Sequence, residues 1–199
     1  MEIDLNQTSA SDRYKILASL VTPRPIAWVT TLNEDGTVNA APFSFFNVFG
    51  STPPLLGFAP GNRPTGEMKD TARNLRRTGE FVVHMVDEPM ADVMNATAAG
   101  LPYGTSEVES TGLATVPSST IKTPRLCDAA AAMECKEWGT LEIGNNRLVL
   151  GIVQHIHVRD GVFNPDNFHL DPARYAPIGR MESPNGYCRT TDRFRMGRP

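Results

Sequence analysis

The sequence contains no long hydrophobic run and no excess of basic charge. No apolar stretch among its 199 residues approaches the roughly 20 residues that a helix needs to cross a bilayer. The first residues, Met-Glu-Ile-Asp-Leu-Asn, lack the basic-then-apolar order of a signal peptide, so we expect a cytoplasmic protein that does not contact a membrane. The net charge of −3 and the pI near 5.8 argue against a nucleic-acid surface.

The motifs of several enzyme classes are missing as well. The three cysteines, Cys127, Cys135 and Cys188, show no Cys-x-x-Cys spacing, which indicates buried or inert thiols in a reducing compartment. No Gly-x-Ser-x-Gly elbow occurs, so a Ser/His/Asp hydrolase has no support. His155 and His157 share one face of an apolar segment, but no third ligand is evident nearby, and we predict no metal site.

The rest of the composition is that of one globular domain, which we place at residues 1–199. Hydrophobic residues make up 40% and charged residues 21%, and sixteen glycines and sixteen prolines favour many short elements joined by turns. The apolar pattern predicts strands at 26–31, 37–41, 54–59 and 80–86, with further apolar segments at 129–143 and 148–158. It predicts helices at 11–20 with Asp12 as a possible cap, at 69–78 closed by Gly79, and at 88–98, and a long loop at 100–123.

These elements predict a mainly β protein. Several strands, successive hairpins and only short helices are typical of an antiparallel barrel with short peripheral helices. A doubly wound fold would need long helices between its strands and would usually carry a Gly-x-Gly-x-x-Gly turn, and the sequence has neither.

One segment carries much of the functional signal: residues 39–47, Asn-Ala-Ala-Pro-Phe-Ser-Phe-Phe-Asn. Small polar side chains such as those of Ser44 and Asn47 can hydrogen-bond to the polar edge of a flat ring. They can equally cap the local backbone at a strand-to-turn corner. Phe45 and Phe46 could flank such a ring, and core packing is at least as good an interpretation for each of them.

A second segment follows at residues 63–75, where Arg63, Lys69 and Thr71 stand near the predicted start of a helix. A helix N-terminus has free N–H groups and a partial positive charge, so it suits a phosphate. The alternative is a solvated face, to which we assign Arg73, Arg76 and Arg77. The two segments together predict a site that takes a flat ring at one end and a phosphate at the other, which is the shape of flavin mononucleotide (FMN).

Arg24 lies between Pro23 and Pro25, which hold its backbone extended. This rigid backbone could direct the guanidinium at the flavin or at a substrate anion. It could also make a structural ion pair, and the sequence leaves both possibilities open.

The chain resembles the flavin reductase-like family, whose fold is the FMN-binding split barrel. The resemblance covers about residues 14–198 and is carried by segments that occur in the family's order. They are Pro-Arg-Pro-Ile-Ala-Trp-Val-Thr-Thr at 23–31, the segment 39–47, Pro53-Pro54, Lys69-Asp-Thr71, Gly-Glu-Phe-Val-Val-His at 79–84, Met133-Glu-Cys135 and Pro177-Ile-Gly-Arg180.

The resemblance implies an antiparallel Greek-key barrel that forms a homodimer and holds FMN noncovalently near the dimer interface. Ser44 and Asn47 match family positions that hydrogen-bond to the carbonyls and the N–H on the pyrimidine edge of the flavin. The apolar residues around the predicted site, Phe43, Phe45, Phe46, Val48 and Phe49, are consistent with a covered surface, although the 100–123 loop could cover them instead. The resemblance also implies NADH or NADPH as the reductant, and a second flavin, a metal complex or a small organic molecule as the acceptor.

One family motif is absent. Two-component flavin reductases of the family often carry Gly-Asp-His where this chain has Gly-Ile-Val-Gln-His at 151–155, which puts reduction of free flavin in doubt and leaves His157 as a weak substrate-side candidate. The alternatives are therefore an FMN electron carrier that docks to a redox partner protein, or a cofactor-free binding module that has kept only the barrel.

Overall fold

The structure is a computed structural model, and it describes residues 1–197. The last two residues of the predicted domain lie outside this range, so a single domain over 1–199 stays a prediction. The helices are α1 (Ala10–Leu20), α2 (Asp70–Thr78), α3 (Ala91–Ala96) and α4 (Glu107–Thr111), with 3-10 turns at Leu5–Gln7 and Glu88–Met90. The strands are β1 (Ala27–Leu32), β2 (Val38–Phe43), β3 (Phe46–Ser51), β4 (Pro54–Phe58), β5 (Glu80–Met85), β6 (Thr115–Val116), β7 (Arg125–Leu126), β8 (Ala131–Ile143), β9 (Asn146–Val158), β10 (Gly179–Arg180) and β11 (Tyr187–Cys188).

A seven-stranded antiparallel sheet forms the body of the protein, in the order β2-β1-β5-β8-β9-β4-β3. Three pairs of neighbouring strands, β1–β2, β3–β4 and β8–β9, are joined by short connections. Strand β5 also pairs with β1, but β2, β3, β4 and α2 lie between them in the sequence. The short pairs β10–β11 and β6–β7 lie outside this sheet. The predicted mainly β fold with short peripheral helices is thereby confirmed.

Strand β1 is buried on both faces, which explains its apolar sequence. Ala27 and Val29 join a core with Phe58 and Phe81, whereas Trp28 points to a second core with Met94 of α3. The second core also contains Val108 of α4 and Ile178 near the C-terminal end. The sheet therefore carries α3, α4 and the C-terminal segment on one face, whereas Leu75 of α2 packs in the other core. Helix α3 and the C-terminal segment contribute to the walls of the site described below.

Two local signals in the sequence are confirmed. Asn33 and Gly36 close the turn between β1 and β2, with Gly36 N donating to Asn33 O at 3.1 Å and Gly36 at a φ of 90°. Gly79 ends α2 in the left-handed region at a φ of 63°. Both signals depend on a backbone conformation that glycine adopts without steric cost.

Other predictions need correction. Helix α1 is capped by Ser9 and not by Asp12, because the Ser9 hydroxyl accepts from Asp12 N at 3.1 Å and donates to the Asp12 carboxylate at 2.7 Å. The predicted helix at 88–98 is a 3-10 turn followed by α3. Strand β3 was not predicted, since its residues do not alternate and a bulge lies between Val48 and Gly50. The 100–123 segment is not a plain loop, because it contains α4 and β6.

Glu134 of β8 anchors the end of that segment. Its carboxylate is completely buried and accepts from Ser119 N at 2.6 Å, from Thr120 N at 2.7 Å and from Thr120 Oγ1 at 2.6 Å. His157 Nε2 lies 2.6 Å from the same carboxylate. Burial alone would raise the pKa of Glu134, but these hydrogen bonds outweigh it and hold the pKa at about 2.

A buried histidine predicts a loss of stability in acid. His84 of β5 is completely buried, with Nδ1 2.9 Å from Trp28 O and with Nε2 accepting from Leu126 N at 2.9 Å. Burial lowers its pKa from 6.5 to about 4, although the hydrogen bond to Trp28 O acts in the opposite direction. Between these two pH values the unfolded chain binds more protons than the folded one, so the free energy of unfolding should fall by up to about 3 kcal/mol as pH drops from 6.5 to 4.

Urea titrations of the wild type and of His84→Gln across this pH range measure the effect. We expect a smaller pH dependence for His84→Gln, because its amide does not titrate. An equal loss of stability in both proteins would contradict the assignment to His84.

No helix within residues 1–197 is both long enough and apolar enough to span a bilayer. Over the same residues, no three His, Cys, Asp or Glu side chains come together as a metal-binding group.

Candidate functional site

A groove of about 450 Å³ opens beside the β2–β3 turn, between α1, α3 and the start of α2. The β10–β11 pair and the start of β9 complete its walls. Its lining combines aromatic, small polar and basic side chains: Tyr14, Phe43, Ser44, Phe45, Lys69, Asn95, Asn146, Arg147, Arg180 and Tyr187.

Ser44 and Phe45, two of the predicted cofactor-binding residues, form one end of this groove. They connect β2 to β3, and this turn leaves the Ser44 hydroxyl half-buried and the Phe45 side chain 44% exposed. The Tyr14 ring of α1 lies 5.9 Å from the Phe45 ring. The groove therefore offers an aromatic surface and a hydroxyl group next to each other.

Lys69 supplies a cation to the groove and is the N-cap residue of α2. Burial lowers the pKa of its ammonium group, and the nearby charge of Arg63 lowers it further. The ammonium lies 5.6 Å from the Phe43 ring centroid and, among residues 1–197, has neither an ion-pair partner nor a hydrogen-bond acceptor. A half-buried cation without a partner, at the start of a helix, is a favourable environment for a phosphate.

The other two predicted phosphate residues lie outside the groove. Arg63 pairs with Asp70 at 2.6 Å, donates to Leu101 O at 3.0 Å and stacks 3.8 Å from the Tyr103 ring centroid. Thr71 is 1% exposed, and its hydroxyl accepts from Asn39 Nδ2 at 3.1 Å. Both side chains thus have partners within the chain.

Phe46 and Asn47 also lie outside the groove. Phe46 is 9% exposed and packs in the core of the sheet. Asn47 is exposed, and its Oδ1 accepts from Val48 N at 2.8 Å. The structure thus shows the local alternative for each: core packing for Phe46 and a backbone contact for Asn47.

Arg24 lies behind the groove wall and does not line the groove. It is 5% exposed, and its guanidinium donates to the main-chain oxygens of Ala18, Val21 and Met181 and to Ser44 Oγ. It thus ties α1 and the C-terminal segment to the Ser44 turn. Its partners are three carbonyl groups and the Ser44 hydroxyl, so the ion pair considered as one alternative is absent within residues 1–197.

In a single copy of the protein, His157 lies far from the groove. It lines a separate cavity of about 730 Å³ together with Asp87, Arg125 and Arg159. Arg147 of the groove and His157 stand near opposite ends of β9, ten residues apart, which in an extended strand is roughly 30 Å. The structure therefore separates His157 from Ser44 and Lys69.

Several groove residues were not predicted from the sequence. Arg147 has an 11% exposed side chain that pairs with Glu142 at 3.1 Å, and Arg180 stacks on Tyr187 and donates to Gly186 O at 2.9 Å. Both come from segments distant in sequence. Only the Pro177-Ile-Gly-Arg180 motif gave a signal for one of them.

Residues 19–179 match the model of the flavin reductase like domain. The chain belongs to the flavin reductase like family. Membership of this family implies flavin binding, and the residues that line the groove fit such a ligand. The ammonium of Lys69, which has no ion-pair partner in the described part of the chain, suits a phosphate, while Phe45 and the Ser44 hydroxyl suit a polar aromatic ring.

Three solved structures resemble the chain over 98–100% of its length. The 2-nitrobenzoate 2-nitroreductase NbaA of Pseudomonas fluorescens is 36% identical, with a TM-score of 0.91 over 100% of this chain and 96% of its own. Nitrilotriacetate monooxygenase component B of Bacillus cereus is 33% identical, with a TM-score of 0.93 over 98% of each chain. The flavoredoxin of Desulfovibrio vulgaris (Miyazaki F) is 16% identical, with a TM-score of 0.78 over 98% of this chain and 97% of its own, and shows the shared fold alone.

Proposed function

We propose that the protein is an FMN-dependent oxidoreductase that takes hydride from NADH or NADPH and reduces a flavin or a small acceptor. The observation that carries the proposal is the placement of Lys69 in the same groove as Ser44 and Phe45. A ligand with a flat polar ring and a single phosphate satisfies both ends of this groove. Bound FMN supplies the ability to accept a hydride and to pass electrons on.

In this proposal the protein binds and orients the cofactor. Lys69 holds the phosphate, and Ser44 donates a hydrogen bond to the ring. Phe45 and Tyr14 flank the ring and exclude water from one side. No protein acid or base is required for hydride transfer, so the lack of a catalytic triad is no objection.

The relatives support two kinds of acceptor. The nitroreductase at 36% identity makes a small organic acceptor the better-supported choice. The monooxygenase component at 33% identity favours delivery of electrons to a partner monooxygenase. The missing Gly-Asp-His motif favours the alternative of a non-enzymatic FMN electron carrier, which docks to a redox partner and does not react with nicotinamides.

Purification tests the cofactor proposal directly. We expect a yellow protein whose released cofactor is FMN by chromatography and mass spectrometry. A colourless protein that also fails to bind added FMN would instead support the cofactor-free module.

FMN should bind ahead of FAD. Within the described part of the chain, Lys69 is the groove cation whose charged group contacts neither a carboxylate nor a carbonyl, whereas Arg147 and Arg180 have such contacts. One free cation suits one phosphate better than a pyrophosphate with its adenosine. Fluorescence-quenching titrations should give a lower Kd for FMN, and an equal or lower Kd for FAD would contradict this prediction.

We also propose a homodimer, since apolar groups remain uncovered around the groove. Phe43 and Phe46 are buried in the core, but Phe45, Val48 and Phe49 are 44%, 61% and 58% exposed. Val48 and Phe49 lie on β3, an edge strand of the sheet, and the 100–123 segment does not cover them. Such an edge is available to pair with or pack against a second copy.

Light scattering during size exclusion should give about twice the chain mass of 21.8 kDa. Val48→Glu should shift the protein toward the monomer, and Leu20→Glu, at a 75% exposed position of α1, serves as the matched control. A wild-type monomer that binds FMN tightly would contradict a groove shared between two copies.

A further inference from the structure

The Ser44 hydroxyl has a defined direction of hydrogen bonding. Its Oγ accepts from Arg24 Nε at 3.2 Å, and within residues 1–197 its own proton has no acceptor. A serine hydroxyl can donate one hydrogen bond while its oxygen accepts others. Because Arg24 occupies the accepting side, the Ser44 O–H remains free to donate into the groove that it lines.

Hydrogen bonds to three main-chain carbonyl groups fix the orientation of the Arg24 guanidinium relative to Ser44. Its Nη1 donates to Ala18 O and to Val21 O, the latter at 3.0 Å, and its Nη2 donates to Met181 O at 2.8 Å. The guanidinium is thus fixed by main-chain carbonyls on one side and directs Nε at Ser44 Oγ. A cationic donor polarises the hydroxyl that accepts from it, and so strengthens the hydrogen bond that this hydroxyl donates.

We propose that Arg24 is a positioning residue that acts through the Ser44 hydroxyl to favour reduced over oxidised flavin in the groove. The inference rests on the proposed function. A hydride transferred from a nicotinamide brings two electrons and one proton, so the flavin gains a negative charge while the nicotinamide becomes its oxidised cation. A polarised O–H directed at the ring stabilises this added charge more than it stabilises the neutral oxidised ring.

The reduction potential of bound FMN tests the role of the hydroxyl. Ser44→Ala should reduce the preference for reduced over oxidised FMN by about tenfold, which for a two-electron couple lowers the potential by about 30 mV. Ser44→Thr keeps the hydroxyl and should keep the wild-type potential. An unchanged potential in Ser44→Ala would overturn the proposal, and this pair of variants decides the question even if Arg24 variants fail to fold.

A double-mutant cycle tests whether Arg24 acts through Ser44. Arg24→Lys keeps the positive charge, but an ammonium group cannot reach all four acceptors of the planar guanidinium. As a single variant it should therefore lower the reduction potential, and in the Ser44→Ala background it should cause no further change. A shift that persists in full in the Ser44→Ala background would show that Arg24 acts on the flavin without Ser44 and would overturn the proposal. So would an Arg24→Lys variant that changes stability alone. If the wild-type protein binds no flavin, no reduction potential can be recorded. That result would overturn the proposed function as well as this inference, and it differs from a recorded potential that does not change.

Discussion

Replacing Glu134 by glutamine is expected to lower the free energy of unfolding by about 3–5 kcal/mol, because donors would remain buried without their charged acceptor. The carboxylate accepts from the main-chain N–H groups of Ser119 and Thr120 and from the Thr120 hydroxyl, and it contacts His157. An amide in its place presents an NH₂ group to some of these donors. Denaturant titration at neutral pH measures the loss.

Glu109→Gln is the matched control, since Glu109 is an exposed residue of α4. Its effect should stay within about 0.5 kcal/mol, as is usual for surface changes. The wild type should also lose the contribution of Glu134 in acid. The folded pKa is depressed to about 2, so this stability is present above the ordinary carboxyl pKa and disappears as pH falls through about 2. A change of less than 1 kcal/mol in Glu134→Gln would contradict the anchoring role.

Lys69→Ala is expected to weaken FMN binding by about tenfold or more, because a charge-assisted hydrogen bond contributes roughly 1.5–3 kcal/mol. Riboflavin has no phosphate, so its affinity should barely change. Fluorescence titrations of both ligands against the wild type and the variant give the comparison.

Two further variants sharpen this test. Lys136→Ala removes an exposed lysine of β8 and should affect neither ligand. Arg63→Ala should affect FMN and riboflavin alike, since Arg63 holds Asp70 and the Leu101 carbonyl and does not line the groove. Equal weakening of FMN and riboflavin in Lys69→Ala would show that Lys69 does not bind the phosphate.

The features that the sequence predicted well depend on local chemistry. The turn at Asn33 and Gly36 and the end of α2 at Gly79 follow from backbone conformations that few residues adopt. The split barrel was recognised from motifs in a fixed order, which does not require knowledge of the contacts between distant segments. The same motifs contain Ser44 and Lys69, which line one groove; their contact with a cofactor stays a prediction.

The features that the sequence missed depend on long-range contacts. Arg63 has a partner 38 residues away at Leu101, and Thr71 points inward to Asn39, 32 residues earlier. Neither contact follows from helical periodicity or from residue type. Arg147 and Arg180 reach the groove only because β9 and the β10–β11 pair fold back to it, so their position could not be predicted without the tertiary structure.

The reaction of the FMN-loaded protein with nicotinamides tests the central claim most directly. Under anaerobic conditions, stopped-flow mixing with NADH and, separately, with NADPH would follow the visible absorbance band of oxidised flavin. Our account predicts rapid bleaching of this band with at least one of the two nucleotides, followed by its return when an acceptor is added. A band that stays unchanged with both nucleotides would contradict the oxidoreductase and would favour an electron carrier that is reduced by a partner protein.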